Sequence, residues 1–457
     1  MTFPTLSTST LLIHNLAGAH IAAKGHGPLS IRLRGPEIVE IGIDLSPLSA
    51  EQVINGSHLV AIPGLVNTHH HFFQALTRCL PGAQESGLFD WLTFHYPIWK
   101  HFDSEMFRAS FKVAMAELLL SGCTMSCDHS YLFPSGLQTN LIALEIECAR
   151  ELGLRFSALR GSMTLGQSRG GLPPDDCVET DDAVLAHCEE SVKRFHDSSK
   201  FSMTQVHLAP CSPFNVTPEL MRETAILARS LGVRMHTHLA ETTDENEYCL
   251  ATYGKRPLAL MQEWDWLGDD VWFAHGLYFS DEEIALLAAT GTGVAHCPSS
   301  NCRLGSGKMK LRKLIECGVP VGLAVDGCAS NDSSHMLAEL RAAMLVHRTP
   351  EDREFFTARR VLELATQDSA NLLGRSDIGE LEVGKAADIA LFDLHELGFA
   401  GAADPVAALL FCAPTRPHTV IVNGKVVVLD RVLLTGDEAE IAAEGRLQAK
   451  RLLDKAR

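Results

Sequence analysis

No run in this chain approaches the roughly 20 consecutive apolar residues that a membrane-crossing helix needs, so no transmembrane helix is expected. Positive charge is scarce. With 39 basic against 56 acidic residues the formal net charge is −17, which repels phosphate backbones and anionic lipid surfaces and excludes nucleic acid and membranes as expected partners. The opening segment MTFPTLSTSTLLIH lacks a basic stretch followed by a long apolar one, so no secretory leader is expected. The thirteen cysteines are odd in number and include no CxxC pair, the usage of reduced thiols in a cytosol rather than of a disulfide framework. Internal repeats, low-complexity tracts and flexible linkers are also missing. At 46% hydrophobic and 21% charged residues the composition excludes a disordered or fibrous chain. What the chain does have is length, 457 residues, enough for one large barrel with an appendage, and 21 histidines.

Strand signals open the sequence. TLLIHNL near Leu11 and SIRLRGPEIVEIG from Ser30 alternate and are broken by Gly and Pro, as antiparallel strands with tight turns are. From Ala61 onward apolar runs of strand length alternate with helix-length amphipathic stretches. The runs are LVAIPGLV, CTMSCDH, RFSALRG, SMTQVHLAP, RMHTHLAE, VWFAHGL, TGVAHCP and VPVGLAVDG. Eight near-continuous apolar strands, each followed by a helix, imply a parallel sheet covered on both faces, closed as a (β/α)₈ TIM-type barrel within an α/β fold. The chain then returns to strands, ADIALFDL and HTVIVNGKVVVLD, with a tight turn at Asn423–Gly424, and ends in a helix from about Asp437. The expected division is residues 63–378 for the barrel, with 1–62 and 379–457 forming a small, discontinuous, sandwich-like β domain.

The histidines fall where the apolar strands end, and in such a barrel those ends form the catalytic face. The first run ends in Asn67-Thr68-His69-His70-His71, the fifth in His236-Thr237-His238, the sixth in His275, the seventh in His296 and the eighth in Asp326. Alternate side chains of an extended segment share a direction, so His69 and His71 point at one ion while His70 turns away. Three imidazoles and one carboxylate, His69, His71, His238 and Asp326, suit a single divalent cation, Zn²⁺ ahead of Fe²⁺, with a position left open to water. Any one of these histidines alone reads more readily as a hydrogen-bonded barrel residue or a solvated loop residue; their joint placement at separate strand ends carries the metal reading.

Five segments together resemble one family. PGLVNTHHHFFQ, HTHLAE, FAHG, HCPSSNCRLGSG and VDGCASND are similar to those of the mononuclear aminohydrolase branch of the amidohydrolase superfamily, and IGELEVGKAADIALFD resembles that family's return to its β domain. Within the branch WLTFHYPIW, AELLLSGCTMSCDHSYLFPSG, RGSMTLGQSRGGLPPDD and LAPCSPF look most like 8-oxoguanine deaminases, with triazine hydrolases as nearby relatives. The resemblance implies one metal on the four residues named, and the fourth strand, SMTQVHLAP, carries no lysine of the kind that bridges two metals in other members. It implies Glu241 as proton shuttle, His275 as the group that orients the attacking oxygen, and Asp326 as both ligand and proton acceptor. It implies hydrolysis of an aminated heterocycle, 8-oxoguanine to urate and ammonia first, with guanine, isoxanthopterin or an s-triazine as alternatives, and an assembly of two or more copies. A barrel that has lost catalysis and serves as a binding module is the reading from another class. The HxE at His187–Glu189 lacks the PCxxC partner that the unrelated zinc deaminase fold requires.

For substrate contact the residues are less distinctive. Gln74 offers an amide to a purine edge, against the alternative of a surface amide; Trp91 and Trp99 are flat walls or ordinary core; Arg160, closing the third strand, and Arg169 would meet a ring oxygen. Cys127 and His129 face the site from the second strand, and His296 supports from behind. The basic run Lys308-Met309-Lys310, followed by Arg312 and Lys313, departs from the family's more apolar loop and reads as a solvated helix start.

Overall fold

The computed structural model describes residues 10–20, 29–412 and 414–457; the first nine residues of the opening segment lie outside them. Eight parallel strands lie side by side in sequence order: Leu65–Asn67, Cys123–Ser130, Arg155–Ser162, Thr204–Pro210, Met235–Leu239, Val271–His275, Gly293–His296 and Val321–Leu323. The ring closes where the amide of Thr68 donates to the Leu323 carbonyl at 3.2 Å and the amide of Val325 donates to the side chain of Asn67 at 2.9 Å. Each strand feeds an outer helix, and the helix boundaries follow local chemistry. Helix Pro218–Leu231 starts where the Thr217 hydroxyl accepts the Leu220 amide, has Pro in its first turn, and ends at Gly232 in the left-handed conformation.

Two apolar layers result. Val66, Met125, Leu159, Trp272 and Ala295 fill the barrel's interior, while a larger core lies between strands and helices. A third core separates two sheets of the small domain and takes Leu11, Ile31 and Ile38 from one sheet and Leu59, Ala61, Ile389 and Ile421 from the other. The hairpin Thr419–Val422 and Lys425–Leu429 turns at Asn423 and Gly424, both with positive φ, as its sequence requires.

One expected strand divides. LVAIPGLV splits at Gly64: Leu59–Pro63 pairs antiparallel with Ile389–Asp393 in the outer sheet, and Leu65–Asn67 begins the barrel. Leu59 and Ala61 face the sandwich core while Val60 and Ile62 face the barrel's helical layer, so both faces are buried and the alternation that marks an ordinary antiparallel strand is erased. At the junction a Cβ on Gly64 would lie 2.0 Å from Thr124 Oγ1. The terminal helix Glu438–Lys455, grouped by sequence with the small domain, lies against the barrel helix Ser104–Leu119, and Lys455 pairs with Asp103 at 2.7 Å. The Lys308–Lys313 stretch is a solvated helix start: Lys310 precedes helix Leu311–Glu316, and Arg312 pairs with Glu316 and Asp352.

Candidate metal centre and active site

Three imidazoles meet at the open end of the barrel, and the partner of each ring's far nitrogen fixes its tautomer. His71 Nδ1 donates to the His129 carbonyl at 2.8 Å and His238 Nδ1 to the Cys211 carbonyl at 2.7 Å. His236 Nδ1 donates to the Trp272 carbonyl at 2.8 Å, so its Nε2 accepts from His69 Nδ1, also at 2.8 Å. In all three site histidines the proton therefore sits on Nδ1, and Nε2 turns a bare lone pair inward. His71 Nε2 and His238 Nε2 stand 3.0 Å apart with no hydrogen to share, and His69 Nε2 is buried without a partner. Asp326 Oδ1 lies 3.4 Å from both His69 Nε2 and His71 Nε2. Two nitrogens each about 2.0–2.1 Å from a tetrahedral cation lie roughly 3.4 Å apart, so this donor set fits a single divalent ion.

Electrostatics agree with that fit. Burial holds the His69, His71 and His238 imidazoles below their ordinary pKa, the neutral form a ligand needs. Burial alone would raise Asp326, but the imidazoles gathered round it, His69 first, outweigh that and hold the carboxyl well below its usual range. Its second oxygen accepts the Ser300 hydroxyl at 2.6 Å, which fixes the first toward the histidines.

Glu241 and His275 complete the constellation. Glu241 follows the fifth strand, and its backbone amide and that of Ala240 donate to the Glu245 carboxylate at 2.9 and 3.0 Å. Burial, Asp326 and Glu245 push the Glu241 carboxyl well above its usual value. Asn301 donates to His275 Nδ1 at 3.0 Å, leaving the His275 proton on Nε2, 3.4 Å from Glu241 Oε2; burial brings this ring down to about 4, so it is neutral. Ala240, His275 and Asp326 all have positive φ, 54°, 74° and 64°, and non-glycine residues held there store strain that collects at functional sites.

A cavity opens beside the imidazoles. His71, His238, Glu241, His275 and Asp326 form one wall, and Gln74, Leu88, Trp91, Tyr131, Phe214 and Asn215 stand among the others. Gln74 is 1% exposed and accepts the Ala329 amide at 3.2 Å, which removes the surface-amide alternative. Trp91 lines the cavity, its indole nitrogen bonded to the Ala329 carbonyl at 3.2 Å, while Trp99 packs in the core against His95. Arg160 is a correction: it does not line the cavity. Its guanidinium pairs with Glu179 at 2.7 Å and His187 at 2.9 Å behind the third strand and lies 3.8 Å over the Phe133 ring. Arg169 reaches only the Thr164 carbonyl. His129 joins the histidine cluster, Cys127 packs inside the barrel, and His296 pairs with His347 at 2.9 Å. His70 turns away, bonded to the Ser334 hydroxyl at 2.9 Å. His236, which sets the His69 tautomer, was not singled out from sequence; the two-residue spacing His236-Thr237-His238 held the signal, because it repeats that of His69 and His71.

Comparison with known proteins follows the same lines. The amidohydrolase family pattern matches residues 60–427. The chain is 47% identical over 399 residues to an 8-oxoguanine deaminase of Pseudomonas aeruginosa PAO1, covering 87% of this chain and 89% of that one. It is 37% identical over 468 residues to an isoxanthopterin deaminase of an unknown prokaryotic organism, covering 97% of each. Its fold superposes on a crystal structure of atrazine chlorohydrolase from Arthrobacter aurescens TC1 complexed with zinc, with a TM-score of 0.91 at 34% identity, over 96% of this chain and all of that one. The chain belongs to the amidohydrolase family and is a hydrolase acting on C–N bonds of cyclic compounds.

Proposed function

We propose that this protein deaminates an oxidised purine, converting 8-oxoguanine and water to urate and ammonia, with one Zn²⁺ held by His69, His71, His238 and Asp326. The observation that carries the reading is the convergence of three unprotonated imidazole nitrogens and a carboxylate beside a buried carboxyl of raised pKa; the 47% identity to an 8-oxoguanine deaminase supports the choice of substrate. When bound, a divalent ion supplies Lewis-acid chemistry, bringing the pKa of water down from 15.7 toward about 7.

The chain's own groups do the rest. Glu241, its carboxyl raised well above the usual value by burial, takes a proton from the attacking water and delivers it to the ring nitrogen beside the amino-bearing carbon. That protonation lets the ring hold the charge that develops as the C–O bond forms. His275, neutral with its proton on Nε2, donates toward the incoming oxygen and fixes its approach. Asp326 accepts a proton and passes it to the amino group as the C–N bond breaks and ammonia departs. Gln74 and Trp91 hold and flank the ring. All thirteen cysteines are free, in keeping with a reducing cytosol.

The test is a panel of 8-oxoguanine, guanine, isoxanthopterin and a chlorotriazine, assayed for ammonia and chloride release with metal-replete protein. Ammonia with urate formation from 8-oxoguanine is the expected result. Chloride release as the dominant activity, or no turnover of any aminated purine, overturns the proposal.

A further inference from the structure

The loop after the fourth barrel strand carries Cys211, Phe214 and Asn215 into the cavity wall. Asn215 is 1% exposed and fixed on every side. Its backbone amide donates to the Ser212 carbonyl at 3.0 Å, and its backbone carbonyl accepts the amides of Thr164 and Leu165 at 2.9 and 3.0 Å. Its side-chain nitrogen donates to the Tyr96 hydroxyl at 3.1 Å and to Cys211 Sγ at 3.4 Å. Those two bonds engage both hydrogens of the amide. What is left is the carbonyl oxygen Oδ1, buried and without a partner.

A buried acceptor with nothing to accept is destabilising, and native structures keep few of them without a reason. The residue is also tied to the metal centre: Cys211 Sγ, which receives the Asn215 amide, lies 3.9 Å from Nδ1 of His238. Asn215 thus stands one sulphur atom from a ligand histidine, in a wall that the heterocycle must touch.

Resting on the deamination reading above, we propose that Asn215 Oδ1 accepts a hydrogen bond from a ring N–H of the substrate, and that this contact selects heterocycles with a lactam N–H on the ring remote from the amino group. The chemistry discriminates well. The carbonyl of an oxidised purine's five-membered ring places a hydrogen on both flanking nitrogens, so an N–H always faces Oδ1. Guanine shares one hydrogen between the same two nitrogens and meets Oδ1 with a lone pair in one of its two tautomers. A site built to pair a substrate N–H rejects a ligand that leaves the site's own polar group unpaired.

The experiment compares metal-replete wild type with Asn215→Leu, which removes the acceptor while keeping the branched outline of the side chain. Two quantities are read: kcat/KM for 8-oxoguanine, and the competitive inhibition constant of isocytosine, the aminopyrimidinone half of the purine without the five-membered ring. The expected result is a fall in kcat/KM of about 10-fold or more, with the isocytosine constant changed by less than about twofold. A fall shared equally by both ligands marks a structural role and overturns the inference, as does an unchanged kcat/KM. If Asn215→Leu does not fold, Asn215→Ser removes the same carbonyl and must show the same divergence. Failure of wild type to turn over 8-oxoguanine refutes the deamination reading itself, an outcome separate from an Asn215 variant that leaves an active enzyme's selectivity intact.

Discussion

At Glu241 two causes act in one direction: burial disfavours the carboxylate, and the charges of Asp326 and Glu245 disfavour it further. Glu241→Gln keeps the shape and removes the exchangeable proton. It should retain the ion by elemental analysis and lose roughly 10²-fold in kcat, the scale of general acid–base catalysis; near-normal turnover would remove Glu241 from the proton path. His238→Ala takes away one of three inward nitrogens, so it should lose the ion itself, and full metal occupancy after dialysis would count against this ligand set. Residue-scale legibility was uneven for a physical reason. His69 and His71 were readable because period-two alternation at a strand end fixes direction as well as place, and His238 and Asp326 because they stand at or just past the ends of apolar runs. Arg160 shares the strand-end position, but a long guanidinium goes where its charge is paired, and Glu179 and His187 lie behind the strand. Asn215 sits in a loop with no periodicity, so nothing in the sequence set it apart.

Elements were read best where one local rule acted alone. Each of the eight barrel strands falls on one of the apolar runs expected, to within a residue at its end, since burial on both faces leaves a continuous apolar signature. The same signature misled at Leu59–Pro63, where a strand of the outer sheet is wedged between two cores and carries the composition of a barrel strand. What joins the two layers is likewise invisible to pattern. Arg155, on the third barrel strand, makes a two-pronged pair with Asp388 beside the outer sheet, at 2.9 and 3.0 Å, with both side chains almost wholly buried. Removing one partner leaves an uncompensated buried charge. Arg155→Met should therefore destabilise the fold by about 3–5 kcal/mol, read as a lowered urea midpoint. Arg194→Met, at an exposed pair with Glu190, should stay within about 0.5 kcal/mol. Equal effects at the two positions would show that the buried pair does not hold the layers together.

Across the whole molecule the histidines set how stability depends on pH. Burial lowers His70 to about 3 and His95, His187, His275 and His347 to about 4, whereas each titrates near 6.5 in the unfolded chain. Between pH 6.5 and about 4 the unfolded chain binds protons that the native rings refuse, so acidification through that window favours unfolding. Buried carboxyls act in the opposite sense. Asp128, Glu245 and Glu339 are raised to about 7; the native state keeps their protons above pH 4.5, where the unfolded state has lost them, and acidification from pH 7 toward 4.5 stabilises through these groups. The rings outnumber the carboxyls, and His129, His207, His236 and His296 are also held well below their ordinary value by burial. Unfolding should therefore take up protons, and the Tm of metal-stripped protein should fall as pH is lowered from 6.5 to 4.5, measured by scanning calorimetry. Metal-loaded protein should fall more steeply, because the proposed ligands His69, His71 and His238 could hold an ion only as neutral imidazoles and the ion's contribution to stability disappears with its binding. A Tm of the stripped protein that rose over the same interval would mean that the buried carboxyls, not the imidazoles, govern the balance.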